Sequence, residues 1–160
     1  MSSKIIILPP KKESLKKNNI SNEEVYKLNK QCSIINTIYL NENLEDKTTV
    51  KKEIMKKINS YRLQDLKKKR YDEKTFITYD ETIEKLVVSK LKCCYCKIEM
   101  FIMYKNKREP AQWTLDRIDN SIGHSNKNCL ISCLKCNLEK RTRDDTKFKF
   151  TKQMKIIKQY

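Results

Sequence analysis

Cys93-Cys94-Tyr95-Cys96 and Cys133-Leu134-Lys135-Cys136-Asn137 are the stretches on which the reading of this chain turns. Each holds a Cys-x-x-Cys pair. Two thiolates at that spacing reach one metal ion, because a tight turn folds the backbone around it. Two such pairs complete a tetrahedral shell of four sulfurs. Cys93, Cys96, Cys133 and Cys136 are therefore expected to hold a structural zinc ion. Cys94 is an alternative to Cys93, but the spacing to Cys96 favours Cys93. Zinc bound by four thiolates has no open position, so it would brace the fold and do no chemistry itself. Cys94 and Cys129 read as small buried hydrophobes, and Cys32 is given no role.

The seven cysteines form an odd set, and no secretory signal is apparent: Lys4-Ile5-Ile6-Ile7-Leu8-Pro9-Pro10 has too short an apolar core. An intracellular, reducing compartment is expected (cytoplasm, nucleus or a viral replication site), where such pairs bind metal more often than they form disulfides. No thioredoxin-like context favours redox chemistry. A single glycine and three prolines in 160 residues exclude Gly-rich linkers and a phosphate-cradling glycine loop.

Lys and Arg number 36 against 20 Asp and Glu, a net charge of +16. Such a surplus repels itself, and a polyanion relieves the repulsion. DNA is the expected partner. A membrane surface is not, because no long apolar span is evident and no strongly amphipathic basic helix at either end.

The chain divides by pattern. Residues 1–45 read as a basic, poorly ordered arm, with a short helix around Glu23–Tyr39. Residues 46–91 form a basic helical segment. Val50, Ile54, Ile58 and Tyr61 recur at helical steps, Lys51, Lys52, Lys56 and Lys57 fall largely off that line, and Lys67-Lys68-Lys69-Arg70 closes it. Thr78 and Glu81 suit a capping box ahead of a helical face of Ile83, Leu86, Val87 and Leu91. Within residues 92–145, a short strand is expected at Met100 to Tyr104, another at Trp113 to Ile118, and a third at Cys129-Leu130-Ile131. Ser132 is the expected N-cap of a helix carrying Cys133, Cys136, Asn137 and Lys140. The fold class is α+β: helices, then a zinc-pinned ββα unit. In the tail, residues 146–160, Lys147-Phe148-Lys149-Phe150 alternates charge with aromatics. The pattern suits gripping a phosphate backbone and stacking on bases, or an edge strand packing Phe148 and Phe150 on the core; the two are compatible, since Lys147 and Lys149 would then face out.

Between the cysteine pairs, Asp116 lies near a strand end and Asn137 on the following helix. Oxygen ligands of this kind suit Mg²⁺ or Mn²⁺, which polarise phosphate oxygens. Trp113-Thr114-Leu115-Asp116-Arg117-Ile118-Asp119-Asn120, then Gly123-His124, Asn128 and Cys133-Leu134-Lys135-Cys136-Asn137, resemble the HNH endonuclease superfamily. The likeness is to small HNH proteins with a four-cysteine zinc site, found in giant DNA viruses. More distantly the arrangement is similar to the recombination endonuclease VII group. The specific likeness covers residues 91 to 141.

The resemblance implies a ββα-metal, treble-clef-like fold and metal-dependent cleavage of DNA. Asp116 matches the strand carboxylate that binds the catalytic metal, and Asn137 the helix residue that completes the metal site. Asn128 matches the Asn that orients the hairpin and the general base. The four cysteines match the structural zinc ligands. One position departs: where the family has its general-base His, directly after the metal-binding Asp, this chain has Arg117. Arginine stays protonated, so it cannot accept a proton from water, though it can clamp a phosphate. His124, the only histidine, is the leading candidate base, since an unperturbed pKa of about 6.5 suits that work. Asp119, acting through water, is another. Lys127, Lys135, Lys140, Arg141 and Arg143 flank the site and are expected on DNA phosphates. The alternative to a nuclease is a non-catalytic zinc module that binds DNA, motivated by Arg117.

Overall fold

The computed structural model describes residues 26–42, 47–154 and 157. Among these residues, five helices surround a two-stranded sheet in an α+β arrangement: α1 (Leu28–Tyr39), α2 (Lys47–Lys67), α3 (Tyr79–Val88), β1 (Trp113–Arg117), β2 (Cys129–Cys133), α4 (Leu134–Lys140) and α5 (Asp145–Gln153).

The periodic segments fold as their spacing predicts. In α2, Val50, Ile54, Ile58 and Tyr61 are buried on one line, and Asp65 continues it one turn further. Lys51, Lys52 and Lys56 face out. Lys57 does not. Its ammonium donates to Gln112 Oε1 at 2.8 Å and to the Trp113 carbonyl, and lies 4.9 Å from the Trp113 ring centre. Burial pushes its pKa down to about 7. Lys57 thus ties α2 to the start of β1. In α3 the capping box is complete: Glu81 N–H donates to Thr78 Oγ1, and Thr78 N–H to Glu81 Oε2 at 2.8 Å. Ile83 and Leu86 are buried on the helix, and Leu91 just past its end.

Four expectations need correction. The arm reaches only as far as α1. Gln31, Ile34, Ile35 and Ile38 are buried at the helical spacing of one face, so residues 28–39 belong to the core; residues 1–25 and 43–46 lie outside the described residues. Met100 to Tyr104 is not a strand but makes a single bridge, Phe101 to Gln112. Its Met100, Ile102 and Met103 are all buried, without alternation. Gln31 satisfies the backbone a second strand would otherwise pair: its Oε1 accepts from Ile102 N at 2.6 Å and Met103 N at 3.0 Å, and its Nε2 donates to Met103 O. The N-cap of α4 is Cys133, whose Sγ accepts from Cys136 N at 3.4 Å; Ser132 is paired inside the sheet. Finally, the tail is helical over Asp145–Gln153, and residues 155–156 and 158–160 lie outside the described residues. Asp144 caps α5 through Lys147 N. Residues two apart on a helix point to opposite sides, so Phe148 is buried while Phe150 is 68% exposed.

β1 and β2 pair antiparallel with Trp113 opposite Cys133, Leu115 opposite Ile131 and Arg117 opposite Cys129. The chain passes from β2 directly into α4, so the helix lies back on the hairpin. One continuous cluster of buried side chains joins α1, α2 and α3 to the hairpin and to Phe148 of α5. No helix among the described residues is long and apolar enough to cross a membrane.

Candidate metal centre and strand–helix cleft

The turn after α3 brings Cys93 and Cys96 to the junction of β2 and α4, where Cys133 and Cys136 wait. The four sulfurs lie within 4.8 Å of one another, and Cys96 and Cys133 are 3.8 Å apart. A tetrahedral shell with arms of ~2.3 Å has edges of about 3.8 Å, so the spacing fits a metal at the centre. Cys133 N–H donates to Cys93 Sγ at 3.3 Å, the kind of contact that stabilises a thiolate. The Cys136 thiol is pushed up to about 12, by burial first and then by the charge of Cys93. Four cysteine sulfurs this close can hold a structural metal such as zinc.

Two neighbours support this knuckle. Cys94 is half-buried, and its backbone N–H reaches Ile131 O on β2 at 3.0 Å. From α5, Gln153 Nε2 donates to the carbonyls of Cys94 (3.2 Å) and Tyr95 (2.8 Å), and Phe148 packs edge-on against Tyr95 at 5.0 Å.

Along β1 the side chains alternate. Thr114 and Asp116 meet α4. Asn137 Nδ2 donates to Thr114 Oγ1 at 3.1 Å and more weakly to Leu115 O at 3.4 Å. One turn on, Lys140 Nζ sits 3.3 Å from Asp116 Oδ2 and donates to Arg117 O at 2.7 Å. Tyr95 Oη donates to the same Asp116 Oδ2 at 2.5 Å. Lys140 is fully buried, which corrects its expected place on a phosphate: its charge is needed inside, against a carboxylate that is itself 4% exposed. Burial raises the Asp116 pKa, opposed by Tyr95 and Lys140. Asp116 and Asn137 thus line the same strand–helix contact. Among the described residues, Asp116 Oδ1 and Asn137 Oδ1 accept no hydrogen bond, and neither is a buried orphan. Both oxygens therefore reach solvent, while the other polar atom of each side chain is anchored.

No family model, curated protein or solved structure matches this chain.

The loop between the strands is held by Asn128. Its Nδ2 donates to Asp119 O (2.9 Å) and Gly123 O (3.0 Å), and its Oδ1 accepts from Asp119 N (2.8 Å). Asp119 is occupied in its own turn: its Oδ1 accepts from Ser121 N and Oγ, both at 2.7 Å, which lowers its pKa. Asn120 Nδ2 clasps Arg141 O just beyond α4 at 2.8 Å. At Gly123 a Cβ would overlap the Arg70 carbonyl and lie 3.0 Å from Asp65 Oδ2, so the loop approaches α2 as closely as it does only with glycine there.

His124 faces neither Asp116 nor open solvent. It is buried on α2, its Nδ1 2.9 Å from both oxygens of Asp65 and its ring 4.7 Å from that of Tyr61. Burial lowers its pKa, with Asp65 opposing. Arg117, on the same side of β1, lies 3.7 Å from Asp65 and donates to Ile122 O. Lys127, Lys135, Arg141 and Arg143 are exposed. Three residues escaped the sequence reading: Asp65, Tyr95, and Lys140 in its buried role. Only Asp65 carried a signal, as a carboxylate one turn beyond Tyr61 on an apolar line.

Proposed function

We propose that the chain is a divalent-metal-dependent endonuclease of the HNH type that hydrolyses DNA phosphodiester bonds. One observation carries the reading. Two oxygens without a protein donor, Asp116 Oδ1 and Asn137 Oδ1, stand on β1 and on α4, and α4 begins at the four-cysteine cluster. Hard oxygen donors of this type suit Mg²⁺ or Mn²⁺. Asp116 and Asn137 would hold such an ion, and it would supply Lewis-acid polarisation of a phosphate oxygen. The protein's part is to hold the donors still. Tyr95 and Lys140 fix one Asp116 oxygen and leave the other to the ion. Thr114 and the Leu115 carbonyl take the Asn137 amide nitrogen and leave its oxygen to the ion. Exposed Lys127, Lys135, Arg141 and Arg143 supply charge for the DNA backbone.

The test is cleavage of supercoiled plasmid by the zinc-loaded full chain in Mg²⁺ or Mn²⁺. Nicked or linear product is expected from the wild type and not from Asp116→Ala or Asn137→Ala. Product that persists in Asp116→Ala defeats the reading.

A second reading is a zinc-braced DNA-binding module that does not cut. Lys140 against Asp116 favours it, because an ammonium already neutralises the carboxylate; so does Arg117, which cannot act as a base. It predicts DNA binding that weakens steeply with salt and no product in any metal.

A further inference from the structure

The end of α2 and the loop at residues 119–125 enclose a cleft on the side of β1 away from the Asp116–Asn137 contact. Asp116 faces Lys140 of α4, whereas Arg117, next along the strand, faces Asp65 of α2. His124, Lys69, Arg70, Asp72, Thr75 and Ser125 line the cleft. Its walls come close because Gly123, the only glycine in the chain, lies against the Arg70 carbonyl. His124 is the residue that calls for a ligand. It is 4% exposed, and both oxygens of Asp65 stand 2.9 Å from its Nδ1. That contact places the ring proton on Nδ1 and leaves a lone pair on Nε2. Among the described residues Nε2 has no hydrogen-bond partner, and it is not sealed from solvent. The cations of the cleft are uncommitted as well: among the described residues, the side chains of Lys69 and Arg70 make no hydrogen bond or ion pair. The carboxylates are committed. Asp65 is taken by His124, and Asp72 accepts from Lys74 N at 3.0 Å and from Thr75 Oγ1 at 2.9 Å. Ser125 Oγ accepts from Asn128 N at 3.2 Å and keeps its own proton to give.

We propose that this cleft is a second site, separate from the strand–helix contact, that binds a phosphomonoester: the terminal phosphate of a nucleic-acid strand, or free phosphate. The ligand must bring negative charge for Lys69 and Arg70 and a proton for Nε2. An internal phosphodiester is fully ionised and brings only the charge, so its oxygen would set lone pair against lone pair at Nε2. A carboxylate, with a pKa of about 4, has likewise lost its proton. A phosphomonoester has a second pKa of about 6, so it carries a proton to share with Nε2 at mildly acid pH. Its other oxygens accept from Lys69, Arg70 and Ser125, the first two as charge-assisted bonds. Asp65 supports this role in a way that packing alone does not require. An apolar pair would brace α2 against the loop as well, whereas the carboxylate also decides which ring nitrogen stays open. Facing the ring are Tyr61 and Asp65 from α2 and Arg117 from β1, with Lys69, Arg70 and Asp72 around the cleft. The site stands whether or not the chain cuts DNA.

The test uses the zinc-loaded full chain without Mg²⁺ or Mn²⁺, so that no cleavage intervenes and the nuclease reading is not at stake. Because His124 is the only histidine, its two ring nitrogens are read directly by nitrogen NMR. In the free protein at neutral pH, Nδ1 is expected to be protonated and Nε2 bare; the opposite tautomer overturns the proposal. At mildly acid pH, inorganic phosphate should move the Nε2 signal to saturation while Nδ1 keeps its proton. Sulfate has the same shape and no proton, and should leave Nε2 in place. An Nε2 signal that phosphate does not move, or that sulfate moves equally, overturns the proposal. One single-stranded oligonucleotide, made with a terminal phosphate at either end or with none, then identifies the source. A terminal phosphate should tighten binding about tenfold. Phosphate binding with no such preference keeps the site and makes free phosphate its occupant. Lys69→Ala/Arg70→Ala leaves Asp65, His124 and Gly123 untouched and should abolish both the phosphate shift and the preference. The preference, being a ratio, is not altered by the general loss of charge. A double variant that folds and keeps the phosphate shift overturns the proposal.

Discussion

Lys140 carries a charge that the interior tolerates only because two acceptors surround it. Its ammonium answers Asp116 and the Arg117 carbonyl at once, with no exposure to solvent. Lys140→Met keeps the length and removes the charge, leaving a buried carboxylate and a carbonyl without their donor. Breaking a buried pair in this way costs about 3–5 kcal/mol, to be read as a lower midpoint in urea unfolding. An unchanged midpoint would mean that Asp116 does not depend on Lys140. His124 makes a second prediction. Its folded pKa lies below the unfolded value of about 6.5, so the unfolded chain binds the proton more readily. Its contribution to stability is complete above that unfolded value and is lost as pH falls through the folded pKa. Wild type minus His124→Gln, followed by thermal unfolding from neutral pH downward, should show this loss; a difference independent of pH contradicts it. These roles were only partly legible. A lysine three residues after Asn137 in a strongly basic chain looks like one more phosphate contact, and nothing local marks the carboxylate it will meet across the sheet.

At the level of elements, α5 decides how firmly the cysteine turn is held. Phe148 is buried edge-on to Tyr95, whose hydroxyl in turn fixes Asp116, and Gln153 reaches the carbonyls of Cys94 and Tyr95. Phe148→Ala should cost about 3–5 kcal/mol, as for core phenylalanines generally, and speed metal transfer to a chromogenic chelator. Phe150→Ala should stay within about 0.5 kcal/mol, as exposed changes do. An edge strand would have made the two variants alike, so the split between them tests the helix directly. The strand expectation went astray because Lys-Phe-Lys-Phe satisfies a period of two, while the signal for a helix was a single capping aspartate, Asp144. α2 and α3 were legible because their apolar residues recur over several turns and because a capping box is a local motif. The hairpin was legible from its strand-forming runs and the polar loop between them. Residues 100–104 were not, because the group that satisfies their backbone is the amide of Gln31, far away in sequence.

For the molecule as a whole, the question is whether the metal centre braces only its own hairpin or the entire fold. The buried cluster is continuous from Ile34 and Val50 through Ile77 and Leu86 to Cys93, Trp113 and Cys136. Lys57 fastens α2 to Trp113, and Asp65 fastens it to the loop through His124. With the metal removed, the four thiols can relieve their crowding only by taking up protons and moving apart, and Cys93, Cys133 and Cys136 are themselves core residues. Loss of the metal should therefore propagate into the helices. Trp113 is the only tryptophan and sits at the junction, so its fluorescence reports the hairpin, while far-ultraviolet circular dichroism reports mainly α1, α2 and α3. After treatment with a zinc chelator, both signals should fall together in one cooperative step, as a single folding unit requires. Zn²⁺ should restore them and Mg²⁺ should not, since four thiolates select a soft ion over a hard one. A tryptophan change with the helical signal intact would instead show a helical body that folds without the metal, with the hairpin as a separate appendage.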